Sequence, residues 1–151
     1  IYIPLATNAV RMGTLAGLNI FENKFEHPGT QGTSGIKIYE NNMAATGLTE
    51  ESARSFGLDI ESVTAVDNYR PEFMPTYESV TLKVIFDKKT RQILGAQLNS
   101  KFDLTQSINT LSVCIQNKMT IDDLAFLDFF FQPHYNKPWN FINLAGINSL
   151  K

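Results

Sequence analysis

The chain has 151 residues, of which 43% are hydrophobic and 19% charged, and its formal net charge is −2. That is enough for one domain with a real core, and the composition is that of an ordinary globular protein, not of a disordered segment. With no long basic run, the balance argues against binding nucleic acid through its phosphates. No apolar stretch is long enough to cross a bilayer as a helix.

Cys114 is the only cysteine, so no disulfide can form within the chain, which fits a cytoplasmic protein. The first residue is not Met, and no basic leader or cleavage pattern precedes Ala6. The expectation is the C-terminal part of a larger protein.

In chain order, residues 5–20 predict a helix. Leu5, Ala9, Met12, Ala16 and Ile20 recur at helical spacing, and Pro4 suits a first turn. Residues 26–35 are a loop rich in Gly, Pro, Thr and Ser. Residues 35–48 predict one or two short strands through Ile36, Ile38 and Tyr39. Thr49 reads as the N-cap of a helix over 50–56, which Gly57 ends. Residues 61–68 predict a strand. The clearest strand is 79–86, where Val80, Leu82, Val84 and Phe86 share one face. A polar turn at 87–90 leads to its partner strand over 92–99. Asp103 or Thr105 starts a helix to about Lys118, with Leu104, Ile108, Leu111 and Ile115 as its apolar stripe. Short helices follow near 121–126 and 138–148. Grouped strands with helices to one side predict an α+β fold with a mostly antiparallel sheet flanked by helices.

Few residues carry chemistry by themselves. Cys114 has no second cysteine near it and no basic neighbour to lower its pKa, so it reads as core. His27 and His134 form no metal-ligand pattern, which leaves no expected metal site. His27 reads as a loop residue, and His134 as a hydrogen-bonded structural one. Gly29, Gly32 and Gly35 match no phosphate-loop spacing and lead into a strand. Asp122 and Asp123 point to different helix faces and suit the positive end of a short helix better than acid–base work. The stretch Arg70-Pro71-Glu72-Phe73-Met74-Pro75 reads as a packing arm.

The stretch Asp128-Phe129-Phe130-Phe131-Gln132-Pro133-His134-Tyr135-Asn136-Lys137-Pro138-Trp139-Asn140 is different. Three consecutive phenylalanines cannot all enter one core from a regular element. At least one must face something outside the fold. On the residues alone, the chain reads as a binding or dimerisation domain without a complete active site.

That run resembles the C-terminal signature of bacterial NADH oxidases and NADH peroxidases, FAD enzymes of the pyridine nucleotide–disulfide oxidoreductase superfamily. Leu5-Ala6-Thr7-Asn8-Ala9-Val10-Arg11 is similar to the segment that ends their FAD domain. Gly32-Thr33-Ser34-Gly35 and Asn42-Met43-Ala44-Ala45-Thr46-Gly47-Leu48 resemble the first strands of their interface domain. Arg70 to Pro75, Ile93-Leu94-Gly95-Ala96-Gln97 and Leu111-Ser112-Val113-Cys114-Ile115-Gln116 match as well.

The resemblance implies residues 1–25 as the end of an FAD-binding domain and residues 26–151 as the dimerisation domain. It implies a homodimer in which Phe131 and Gln132 lie near the flavin of the partner. It also implies that the start of the first helix, at Leu5, Ala6 and Thr7, points N–H groups at the flavin pyrimidine edge, where a helix N-terminus favours negative charge. FAD would be the cofactor and NADH the substrate, with oxygen or peroxide as acceptor. The catalytic cysteine would lie upstream, leaving no catalytic residue in these 151 and an inactive fragment. Glutathione-reductase-like members place a His-Pro pair where Gln132-Pro133 stands, and coenzyme A-disulfide reductases carry a Tyr where Phe131 stands. Both departures favour the oxidase or peroxidase branch. Oxidase against peroxidase, water against hydrogen peroxide as product, and NADH against NADPH all stay open, as does a stand-alone dimerisation module.

Overall fold

A computed structural model describes residues 3–151. The chain divides between Gly32 and Thr33 into two compact units.

The first unit holds helix α1, Ala6–Leu18. α1 has no buried residue, and Met12 and Ile20 of its apolar stripe are largely exposed. The spacing is that of an amphipathic helix. Asn19 closes the helix. Its Oδ1 accepts from the N–H groups of Lys24 and Phe25, and its Nδ2 donates to the Phe25 carbonyl at 2.7 Å.

The second unit is built on a five-stranded sheet of β1 Ser34–Ile38, β2 Asn41–Gly47, β3 Ile60–Asn68, β4 Ser79–Asp87 and β5 Ile93–Ser100. The order is β1-β2-β5-β4-β3, with every neighbouring pair antiparallel. Helices α2 Glu50–Ser55, α3 Ile108–Gln116, α4 Ile121–Ala125 and α5 Phe141–Ser149 surround it. The α+β fold expected from the grouped strands is thus the fold observed.

The alternation in β4 decides which face is core. Val80, Leu82, Val84 and Phe86 are buried on one face, with Ala96 and Leu98 of β5 beside them. Ile108, Leu111 and Cys114 of α3, Ile121 and Leu124 of α4, and Phe141, Ile142 and Ala145 of α5 close over that face. Each fully buried aliphatic side chain there contributes about 1.5–3 kcal/mol. The opposite face is covered at one end only, where Ala53 of α2 meets Ile60 and Ile85. Elsewhere it is open. Ile36, Met43, Asn99, Thr81 and Val66 lie in one cross-strand row, and Ile36 and Val66 are well exposed.

Capping accounts for most helix starts. Thr49 caps α2 in a reciprocal pair with Ser52, as its position before Glu50 predicts, and Thr120 caps α4 with Asp123. Two boundaries differ from expectation. Residues 105–107 form a 3-10 turn, and α3 proper begins at Ile108. The last helix begins at Phe141 instead of near 138. Asn140 accepts from the Ile142 N–H and is capped in return by Asn143, so the favourable start lies beyond Pro138. Among the described residues no helix is long and apolar enough to cross a membrane.

Candidate functional site

After α4 the chain runs irregularly from Phe126 to Asn140. The phenylalanine triplet divides here. Phe129 is partly buried against the core, whereas Phe130 and Phe131 are 68% and 50% exposed. Two of the three therefore face outward, where the sequence required at least one. Tyr135 meets Phe130 edge-on, with ring centroids 6.3 Å apart, and is itself exposed, as is Trp139.

A compact set of polar side chains fastens this loop. Asn136 is buried, its Nδ2 donating to the Phe130 carbonyl at 2.6 Å and its Oδ1 accepting from the Gln132 N–H at 3.1 Å. The Gln132 carbonyl accepts from the N–H groups of Tyr135 and Asn136. The Gln132 side chain is also engaged. Its Oε1 accepts from the His134 N–H at 2.6 Å, and its Nε2 lies 3.0 Å from His134 Nδ1. Gln132 therefore shapes the turn, and His134 takes the hydrogen-bonded role its position implied. Phe131 is left as the exposed member of the pair.

The arm between β3 and β4 holds the loop from the other side. Arg70 Nη1 donates to the His134 carbonyl at 3.0 Å, and the rest of its guanidinium is held by the Thr76 carbonyl and hydroxyl. Lys137 reaches back to Asp67 and Glu72, 2.7 Å from each. The expected packing arm needs correction. Pro71 is buried, but Phe73 is 78% exposed, so the arm joins the domain through its charges and presents its aromatic ring outward.

The Lys137 hydrogen bond, followed by that of Asn68, holds the Glu72 carboxyl at about 2 from its usual 4.5. Burial works against the Lys137 charge, but the hydrogen bonds to Asp67 and Glu72 outweigh it and raise its pKa. A depressed carboxylate adds stability above its ordinary pKa and loses it as pH falls through the folded value. The melting temperatures of the chain and of Glu72→Gln should therefore differ most above pH 4.5 and converge as the pH approaches about 2. A gap that stays constant over that range would mean Glu72 carries no tether.

Other candidates settle into structural roles. Burial, then the Asp123 charge, pushes the Cys114 thiol up, which removes it as a nucleophile. Asp122 and Asp123 diverge as expected. Asp123 completes the α4 cap, and Asp122 receives Arg91, whose Nη2 also donates to the Ser149 carbonyl. The Arg91 hydrogen bonds hold the Asp122 carboxyl below its usual range against the effect of burial. His27 is exposed and accepts from the Gly29 N–H. Among the described residues no group of three His, Cys, Asp or Glu side chains gathers as metal ligands would.

In the first unit, Leu5 is the N-cap of α1 but offers no side-chain cap, and its N–H is taken by the Ile3 carbonyl. The N–H groups of Ala6 and Thr7, at the first helical positions, have no intrahelical acceptor. The first turn holds no acidic residue.

The second unit is thus a sheet covered by helices along one face and by α2 at one end of the other, with an aromatic loop held by polar side chains. The chain matches the pyridine nucleotide-disulphide oxidoreductase dimerisation domain over residues 33–140 and belongs to that family. It is similar to the NADH oxidase of Enterococcus faecalis, 57% identical over 150 residues, covering 99% of this chain and 34% of that protein. The NADH oxidase of Streptococcus pyogenes is 43% identical over 98% of this chain and 33% of its own length. The water-forming NADH oxidase from Lactobacillus brevis, solved bound to NADH, superposes with a TM-score of 0.97 at 49% identity, covering 99% of this chain and 33% of that one. The chain thus spans about a third of the length of the relatives it matches.

Sequence reasoning missed Asp67, Asn136 and Lys137 as the loop's fastenings. One signal was available: Lys137 is the only Lys or Arg between Lys118 and Lys151.

Proposed function

We propose that this chain is the C-terminal part of an FAD-dependent NADH oxidase, with residues 1–25 ending its FAD-binding domain and residues 26–151 forming the dimerisation domain. The carrying observation is Phe131, half exposed on a turn held together by the side chains of Gln132 and Asn136. Such a surface suits the flat, apolar side of a flavin ring in a second copy of the chain. The start of α1 also fits the cofactor. Ala6 and Thr7 offer N–H groups without a competing carboxylate, and the helix dipole favours negative charge there.

When bound, FAD would accept hydride from NADH and deliver electrons to oxygen. The chain's own share is to bind and orient. Phe131 and the backbone of Gln132 would cover the ring and keep water from it, while the N–H groups of Ala6 and Thr7 would face its polar edge and the Leu5 N–H stays on the Ile3 carbonyl. Phe131 carries no hydroxyl to move a proton, which favours an oxidase over a disulfide reductase. The single, buried cysteine fits a reducing cytoplasm. We expect a homodimer, and a fragment that by itself neither holds FAD nor consumes NADH.

The test uses the full-length protein. Under air it should consume NADH as a dimer by light scattering, faster than it reduces peroxide without oxygen. Phe131→Ala should lower turnover at least about tenfold while leaving the dimer intact, because loss of ring positioning acts on the reacting geometry. Full turnover in that variant would remove the assignment of Phe131.

A further inference from the structure

Pro133 and Pro138 stiffen the aromatic loop locally, since each fixes its own φ. They do not determine where the loop sits. Only Leu127 and Phe129 give the stretch from 126 to 131 partly buried apolar anchors on the core. Asn143 holds the loop's entry at the Leu127 carbonyl, and beyond that point two cations tie the loop and the arm together in both directions. A cation of the loop, Lys137, enters the arm at Asp67 and Glu72, while a cation of the arm, Arg70, reaches the loop at the His134 carbonyl. Asn68 donates to Glu72 Oε1 at 2.9 Å and fixes that carboxylate from below.

The Lys137 and Asp67 side chains are only 20% and 25% exposed, so salt screens this pair less than an open surface pair. The Glu72 side chain is 52% exposed, so solvent screening keeps the stability its contact adds modest. The arrangement is a good device for direction. An ammonium held at once by the end of β3 and by the following arm cannot slide along either.

We infer that Lys137 is a positioning residue. Through Asp67 and Glu72 it fixes the height of the turn from Phe130 to Gln132 for its target on the second copy of the chain. The inference rests on the flavin-facing role proposed above. A misplacement of about 1 Å in a catalytic constellation can cost about a hundredfold in rate, so a tether outside the contact can control turnover.

The experiment compares the full-length flavoprotein with Lys137→Met, which keeps the apolar stem, and Lys137→Arg, which keeps the charge. In Lys137→Met, dimerisation and FAD content should remain. Amide exchange from Phe130 to Asn136 should rise about tenfold or more as the loop opens locally. kcat should fall about tenfold with little change in KM for NADH, and the flavin absorption band should shift. Lys137→Arg should restore most of each. Unchanged exchange in Lys137→Met overturns the inference. So does faster exchange with a wild-type kcat and flavin band while Phe131→Ala is impaired. If Phe131→Ala is itself without effect, the flavin-facing reading fails, and this inference with it. Should Lys137→Met fail to accumulate, Glu72→Gln, an exposed site outside the loop, gives the same readouts.

Discussion

Gly95→Ala should destabilise the chain by about 3 kcal/mol or more, the upper range for overpacking, because the obstructing atoms are backbone. A Cβ at Gly95 would lie 1.9 Å from the Leu48 carbonyl oxygen and 2.6 Å from the Leu48 nitrogen. Leu48 cannot move aside cheaply. Its N–H donates to the Leu94 carbonyl at 2.9 Å, which carries the chain across β5 as it leaves β2 for α2. Gly47, paired with Gly95 across the strands, has φ +69 and would itself meet the Leu94 oxygen at 2.3 Å if it bore a Cβ. The two glycines together permit this crossing. Lifting it would displace α2 and open the cluster of Ala53, Ile60 and Ile85. Thermal unfolding should show a drop of roughly 10 °C or more for a domain of this size. Gly13→Ala is the control. It lies inside α1 with nothing within 4 Å of the added methyl, and should be neutral or slightly stabilising. A Gly95→Ala chain that melts with its parent would show that the crossing yields.

The contrast between Gly95 and Lys137 marks how far the sequence could be read. Gly95 sits in a strand that its pattern gives away, since β4 alternates from Ser79 to Val84 and pairs across a polar turn with β5, the alternation breaking only near the register shift at Ile85 and Phe86. Thr49 and the stripe of α3 are equally local signals. Each depends on neighbours within one or two turns, so a linear reading recovers them. The last helix start was misread because two local signals compete, Pro138 and Asn140, and the cap wins through its partner Asn143. The tethers of the aromatic loop are not local. Lys137 lies 70 residues from Asp67 and 65 from Glu72, and Arg70 lies 64 from His134. No periodicity joins them, and only the sheet and α5 bring them together. The stripe of α1 was legible too, although none of the helix's residues is buried. The outward phenylalanines were legible for the opposite reason. No regular element can hide three in succession, whatever surrounds them.

Asn143→Ala should be the other severe substitution, costing about 3–5 kcal/mol, since each buried polar group left without a partner costs about 1–3 kcal/mol. Asn143 is 2% exposed. Its Nδ2 donates to the carbonyls of Leu124 at 3.0 Å and Leu127 at 3.1 Å, and its Oδ1 accepts from the Asn140 N–H at 3.2 Å. One amide thus joins the end of α4, the entry to the aromatic loop and the start of α5. Truncation strands two carbonyls and one N–H and leaves a small cavity against Leu124. Asn140→Ala removes only a helix cap and should cost about 1 kcal/mol. Urea unfolding of the two variants separates the roles. If Asn143→Ala loses no more than Asn140→Ala, the amide serves as a cap and nothing else. If it loses several times more, the bonds to the Leu124 and Leu127 carbonyls carry the difference, and the second of them fixes the chain just before Asp128. The Phe130–Phe131 pair would then hang from the core by Asn143 at one end and by Lys137 at the other. A fold-stabilising amide and a charged tether would share the placement of one exposed ring.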